Sequence, residues 1–219
     1  MQSPNKYGIQ YHFKMIKTAL LTITFLSLCL NSFAQGGFSD LGKSSYNNVH
    51  AIIVGISDYN EIKDLDYAHS DAQLFYDILS LSFPESIENF KLIQNEEANF
   101  YGIKKGIHEV SSKVQEGDLF ILYFSGHGDV MSWMGTDRGY FLGHDASQSR
   151  EYEMGGAVRF SWVNEVTNGI SAGAKADVWL LTDACHSGKV INQEGANATL
   201  NALNAGFENT TKFISCQAH

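Results

Sequence analysis

Three stretches of the chain are apolar without polar alternation. Residues 49–56 (VHAIIVGI), 118–124 (DLFILYF) and 177–182 (DVWLLT) leave no regular polar positions for a wet face. Each is therefore predicted to be a strand buried on both sides. Helical spacing fills the gaps between them. Ala68, Ala72, Phe75, Ile78 and Leu79 share one stripe and predict a helix over 68–81. Ile103, Ile107, Val110 and Val114 predict another over 101–114, and 160–170 reads as a third. Residues 90–93 and 213–216 are short strand candidates, and 138–143 reads as a short surface strand. Ser57-Asp58-Tyr59-Asn60 has loop composition, as does the Asn-, Ala- and Gly-rich segment 190–209. Strands alternating with helices imply the α/β class: a mostly parallel central sheet with helices on both faces, three layers in all. In such sheets functional groups gather beyond the carboxyl ends of the strands.

The first residues change the picture of where the domain begins. Lys14 and Lys17 precede the apolar stretch Ala19 to Leu30, which is followed by Asn31-Ser32-Phe33-Ala34-Gln35. A basic start, a short apolar run and small residues before a cut describe a secretory signal peptide over 1–35, with Met15 as an alternative start. The run is shorter than the roughly 18 residues of a spanning helix, so no stable membrane anchor is expected once the signal is removed. Export to the periplasm or the extracellular space follows, with a lead-in over 36–47 and one domain over 48–219. A net charge of -9 argues against nucleic acid as a partner.

Chemistry concentrates at the ends of two predicted strands. The second runs into Ser125-Gly126-His127-Gly128, and the third into Asp183-Ala184-Cys185-His186-Ser187-Gly188. Cys29 lies in the signal, so the exported chain holds Cys185 and Cys216. Three readings of Cys185 stand side by side: a nucleophile, a metal ligand, or half of a Cys185–Cys216 disulfide. A metal site would draw on His127, His144, Cys185 and His186, without any of the usual paired-ligand spacings. A nucleophilic thiol needs a base, which His127 can supply, with His186 as the rival. Backbone N–H groups at Gly128 and Cys185 could hold an oxyanion.

The pair "YFSGHGD" and "DACHSG" resembles the caspase-fold cysteine peptidases (peptidase C14), specifically the metacaspase-like (orthocaspase) branch. "VGISDY" and "LDYAHSDAQLF" resemble that family's first strand and first helix, so the likeness runs from about Val49 to the end. The caspase signature places Gln two residues before the cysteine and the histidine roughly 50 residues upstream. Here Asp183 replaces that Gln. The resemblance implies a p20-type catalytic domain and a Cys185–His127 dyad. It also implies a pocket of Asp71, Ser125 and Asp183 for Arg or Lys at P1 of protein or peptide substrates. Ala68 stands where some relatives place a pocket cysteine. The chemistry implied needs no cofactor. Relatives respond to calcium through aspartates, and Asp129, Asp137 and Asp145 follow the histidine without matching a known calcium loop. Self-cleavage is expected in 190–209, near Lys189. Caspase-like folds continue past the strand at 213–216, which leaves open whether the chain is a fragment of a longer protein. The rivals are a non-catalytic caspase-fold binding module and a metal-dependent hydrolase.

Overall fold

The computed structural model describes residues 46–186 and 212–216. The segments 1–45 and 187–211 lie outside it, and with them the expected signal peptide, most of the lead-in and the expected self-cleavage loop.

Five strands form a parallel sheet in the order β2-β1-β3-β6-β7. They are β1 (Val49–Gly55), β2 (Phe90–Gln94), β3 (Leu119–Trp133), β6 (Asp177–His186) and β7 (Lys212–Cys216). β4 (Thr136–Leu142) pairs antiparallel with the far half of β3, and β5 (Ala157–Arg159) pairs antiparallel with β4. Every residue of β1 is buried, and Ala51 to Val54 have no accessible surface. A strand flanked on both sides and covered on both faces needs that unbroken apolar run.

The helices cover opposite faces. Helix α1 (Ala68–Ser82) lies close on β1. A Cβ on Gly55 would come 2.4 Å from the Cβ of Ala72 and 2.8 Å from the carbonyl of Ala68. Glycine and two alanines thus let the helix approach, and Phe75 stacks on Tyr123 with ring centroids 4.4 Å apart. Helix α2 (Phe100–Ser111) packs on the other face, where a Cβ on Gly106 would meet Ile52 at 2.9 Å. Its start is capped by Asn99, whose side chain accepts from the Gly102 N–H at 2.9 Å. Helix α3 (Phe160–Asn168) shares that face, with Phe160 against Phe141 at 4.5 Å. Residue parity explains the division: odd positions of β1 meet α1 and even positions meet α2.

The expected elements are found, with shifts at their ends. β3 is the largest departure, because it does not stop at Phe124. It continues through Ser125-Gly126-His127-Gly128 to Trp133. Glycine and histidine read as a turn, yet β4 supplies an antiparallel partner that keeps this stretch extended. Likewise β6 runs on through Cys185 to His186 because β3 lies beside it. The segment 138–143 is only partly a surface strand: β4 begins exposed and ends fully buried. The third helix stops at Asn168 and passes into a π-helical turn over Gly169–Ala174. β5 has three residues, too few for a periodic signal.

Candidate active site

β3 changes neighbours within three residues, and the candidate base sits in the change. On one side β1 accompanies β3 only as far as Gly55, opposite Ser125. β4 takes over with Phe141 opposite Gly128. Between them, Gly126 and His127 have no strand beside them on that side. On the other side β6 stays in register, placing Ser125 opposite Asp183, His127 opposite Cys185 and Gly128 opposite His186. The expected nucleophile and base are therefore direct neighbours across a parallel ladder. Gly128, the expected oxyanion donor, is flanked by β4 and β6.

The loop over 56–67 fills the missing side. The hydroxyl of Tyr59 accepts the backbone N–H of His127 at 2.8 Å. The two rings lie 4.9 Å apart at 39°. The imidazole Nε2 donates to the carbonyl of Lys63 at 2.7 Å. A carbonyl can only accept, so Nε2 carries hydrogen and the neutral ring keeps its lone pair on Nδ1. The ring is thereby fixed in tautomer and direction, as a general base requires. Gly126 is glycine for the same reason, since a Cβ there would meet the Tyr59 hydroxyl at 2.9 Å. Loop composition at 57–60 marked a turn but carried no sign of these two contacts.

His144 clamps that loop from behind. Its Nδ1 donates to the Asp58 carbonyl at 2.7 Å, and its own carbonyl accepts from the Asn60 N–H at 3.0 Å. Tyr59 is thus held on both flanks by one residue. The Asn95 side chain accepts from the Ser57 and Asp58 N–H groups, pinning the start of the same loop. A polar cavity of about 480 Å³ opens here, lined by Asp58, Asn60, Glu96, Asn99, His144 and Asp145.

Two of the expected pocket acids converge. Asp71 lies in the first turn of α1, and Asp183 lies near the end of β6. Burial, and then the nearby charge of Asp71, push the Asp183 carboxyl up to about 6. Its Oδ1 is buried and has no hydrogen-bond partner among the described residues. Burial also raises Asp71, with His69 opposing. Ser125, 2% exposed, stands opposite Asp183 in register. Two desolvated acids with an unsatisfied oxygen form a site short of positive charge.

The aspartates after the histidine do not gather. Asp129 receives Nε and one terminal nitrogen of Arg150 at 2.9 and 3.0 Å, and the Tyr152 hydroxyl at 2.8 Å. Asp145 accepts the Phe100 N–H at the start of α2, and Asp137 is exposed on β4. Among the described residues, no three His, Cys, Asp or Glu side chains are placed to share a metal ion. No described helix is long and apolar enough to cross a membrane.

Comparison with known proteins agrees with the fold. A crystal structure of protein GSU0716 from Geobacter sulfurreducens superposes with a TM-score of 0.53 at 17% identity. The match covers 74% of this chain and 64% of that one, so the chain spans less than two thirds of that protein's length. No curated protein matches the chain. The family model of the caspase domain (peptidase C14) matches residues 48–217, which takes in every described strand. With the parallel sheet and the two motif-bearing strands side by side, this chain belongs to the caspase-domain family.

Proposed function

We propose that the chain is a cysteine endopeptidase of the metacaspase-like kind, cutting after Arg or Lys. The register that sets Cys185 opposite His127 supports this most directly. In this reading Nδ1 of His127 takes the proton of the Cys185 thiol, the thiolate attacks the carbonyl carbon of the scissile bond, and the oxygen takes up the negative charge. Backbone N–H groups at Gly128 and Cys185 stabilise that oxyanion. His127 gives a proton to the departing amine, leaving a thioester. It then takes a proton from water, whose oxygen displaces the sulfur to give the carboxylate product. Lys63 holds the imidazolium through Nε2 in both steps.

The P1 preference rests on Asp183 and Asp71. A guanidinium or ammonium entering beside them offers the donor that the Asp183 oxygen lacks, and its positive charge relieves their mutual repulsion. Ser125 lines the same position. In the same reading calcium activates the enzyme, and residues 1–35 direct its export. N-terminal sequencing of protein recovered outside the cytoplasm tests the export.

The main experiment assays Arg-, Lys- and neutral-P1 fluorogenic peptides, with and without calcium, beside Cys185→Ala and His127→Ala. Hydrolysis of basic-P1 peptides should fall roughly 10³-fold or more in either variant. A wild-type protein that cuts none of them and resists alkylation at Cys185 is instead a binding module. Activity that survives Cys185→Ala but is lost to a chelator identifies a metal-dependent hydrolase.

A further inference from the structure

We propose that Tyr59 is a positioning residue for His127, with its hydroxyl replacing the hydrogen bond that β3 lacks between β1 and β4. This rests on reading His127 as the general base. In a parallel sheet a central strand is held in place by both neighbours. At His127 one neighbour has ended and the next has not begun. The backbone N–H there still needs an acceptor, because the residue is 1% exposed. Tyr59, itself 5% exposed, supplies one at 2.8 Å.

Two features make this a positioning device. The same loop that carries the Tyr59 hydroxyl carries the Lys63 carbonyl, so main chain and imidazole of His127 are fixed from one body. The Tyr59 ring also lies against the imidazole, restricting its tilt. The loop's own position is set by His144, which bonds on either side of Tyr59. The order of support runs from His144 to residues 58 and 60, then to Tyr59, then to His127. Tyr59 touches no reacting atom in this scheme and moves no proton. It decides where Nδ1 stands relative to the sulfur.

Tyr59→Phe keeps the ring and removes the acceptor. The expected result is a fall in kcat of about 10- to 100-fold with KM changed less than about threefold, since misplacing a reacting group costs rate more than binding. The ring ¹⁵N signals of His127, and the midpoint at which they titrate, should move in the same variant. That NMR readout needs no turnover. A wild type without peptidase activity overturns the proposed function, while the NMR comparison still decides the role of Tyr59. Unchanged His127 signals in folded Tyr59→Phe, or an unchanged kcat in an active enzyme, would overturn the inference. Should Tyr59→Phe fail to fold, His144→Leu and His144→Asn decide the matter without touching Tyr59. Asn keeps a donor for the Asp58 carbonyl and should preserve the His127 signals, whereas Leu should shift them. Identical signals in both variants would again overturn it.

Discussion

Asp118, buried, and Asp183, half-buried, are both carboxylates of the central sheet, and they differ in nearly every other respect. Asp118 stands at the amino end of β3 and is 1% exposed. Its oxygens accept four hydrogen bonds, from the Asn48 N–H and side-chain amide, the Gln115 N–H and the His50 Nε2. Burial alone would raise its pKa, but the bonds from Gln115, Asn48 and His50 outweigh burial and hold it below the ordinary range. Asp183 stands toward the carboxyl end of β6 with one oxygen unsatisfied and Asp71 repelling it. One carboxylate is complete without a ligand and the other is not. At one end of the sheet charge serves the fold, and at the other, in the proposed reading, it awaits a basic P1 side chain.

The largest test of that contrast is Asp183→Asn. It should lower kcat/KM for basic-P1 peptides roughly 100- to 1,000-fold, the usual cost of losing one partner of a buried charge pair. The same variant should be more stable than wild type at pH 7.5, by up to about 3 kcal/mol, because an unsatisfied charge is gone. Denaturant titration and steady-state kinetics check the two halves, and a loss of stability would break the comparison.

Asp118→Asn should do the reverse. It places an amide against donors and should cost about 2–3 kcal/mol, or roughly 5–10 °C in Tm, with activity per folded molecule unchanged. Calorimetry beside an active-site titration measures both.

The pH dependence is smaller and follows from sign. With a folded pKa near 6 and an ordinary value of 3.8, Asp183 holds more proton in the folded state than in the unfolded one between those limits. Its contribution therefore makes the protein less stable as pH rises from about 4 to 6, and this slope disappears in Asp183→Asn. Over the same range the ratio of kcat/KM for Arg-P1 to neutral-P1 peptides should climb, by about tenfold per pH unit below 6. A flat ratio would show that Asp183 does not meet the P1 side chain.

Asp71→Asn should have the least effect. Removing the repelling neighbour lowers the Asp183 pKa in part, burial remaining the larger cause, and moves the limb of that profile to lower pH. Basic-P1 kcat/KM should fall about 3- to 10-fold at pH 7.5.

Much of this was legible in the residues. The buried parallel strands follow from unbroken apolar runs, and the helices from their stripes. The two motifs could be placed at strand ends because glycine, histidine and cysteine interrupt those runs abruptly. The sequence did not reveal that both motifs stay inside the strands. Ser125 to Gly128 has turn composition, and only a partner distant in sequence, Phe141 and its neighbours, keeps it extended. The positioning roles of Tyr59, Lys63 and His144 were invisible for a related reason. Two of them act wholly or partly through main-chain atoms, which leave no residue-type signature, and the third is a tyrosine in an ordinary-looking loop. The family resemblance implies that Asp71 and Asp183 share a pocket, and in the structure the Asp71 charge lies near enough to raise the Asp183 carboxyl. The absence of any hydrogen bond to Asp183 Oδ1 could be found only in three dimensions.

The handover in β3 also equips the molecule with a meter for its own motion. Amide protons over 119–125 are locked into a sheet buried on both faces and exchange with solvent only when that sheet opens. The His127 amide, deeper along the same strand, is sealed by a hydroxyl on a loop. It should exchange whenever the loop lifts, an excursion expected to cost less than unfolding the sheet. One fast-exchanging amide within a slow strand therefore counts loop openings. A substrate or inhibitor that holds the loop down will slow that one proton while its neighbours keep their pace.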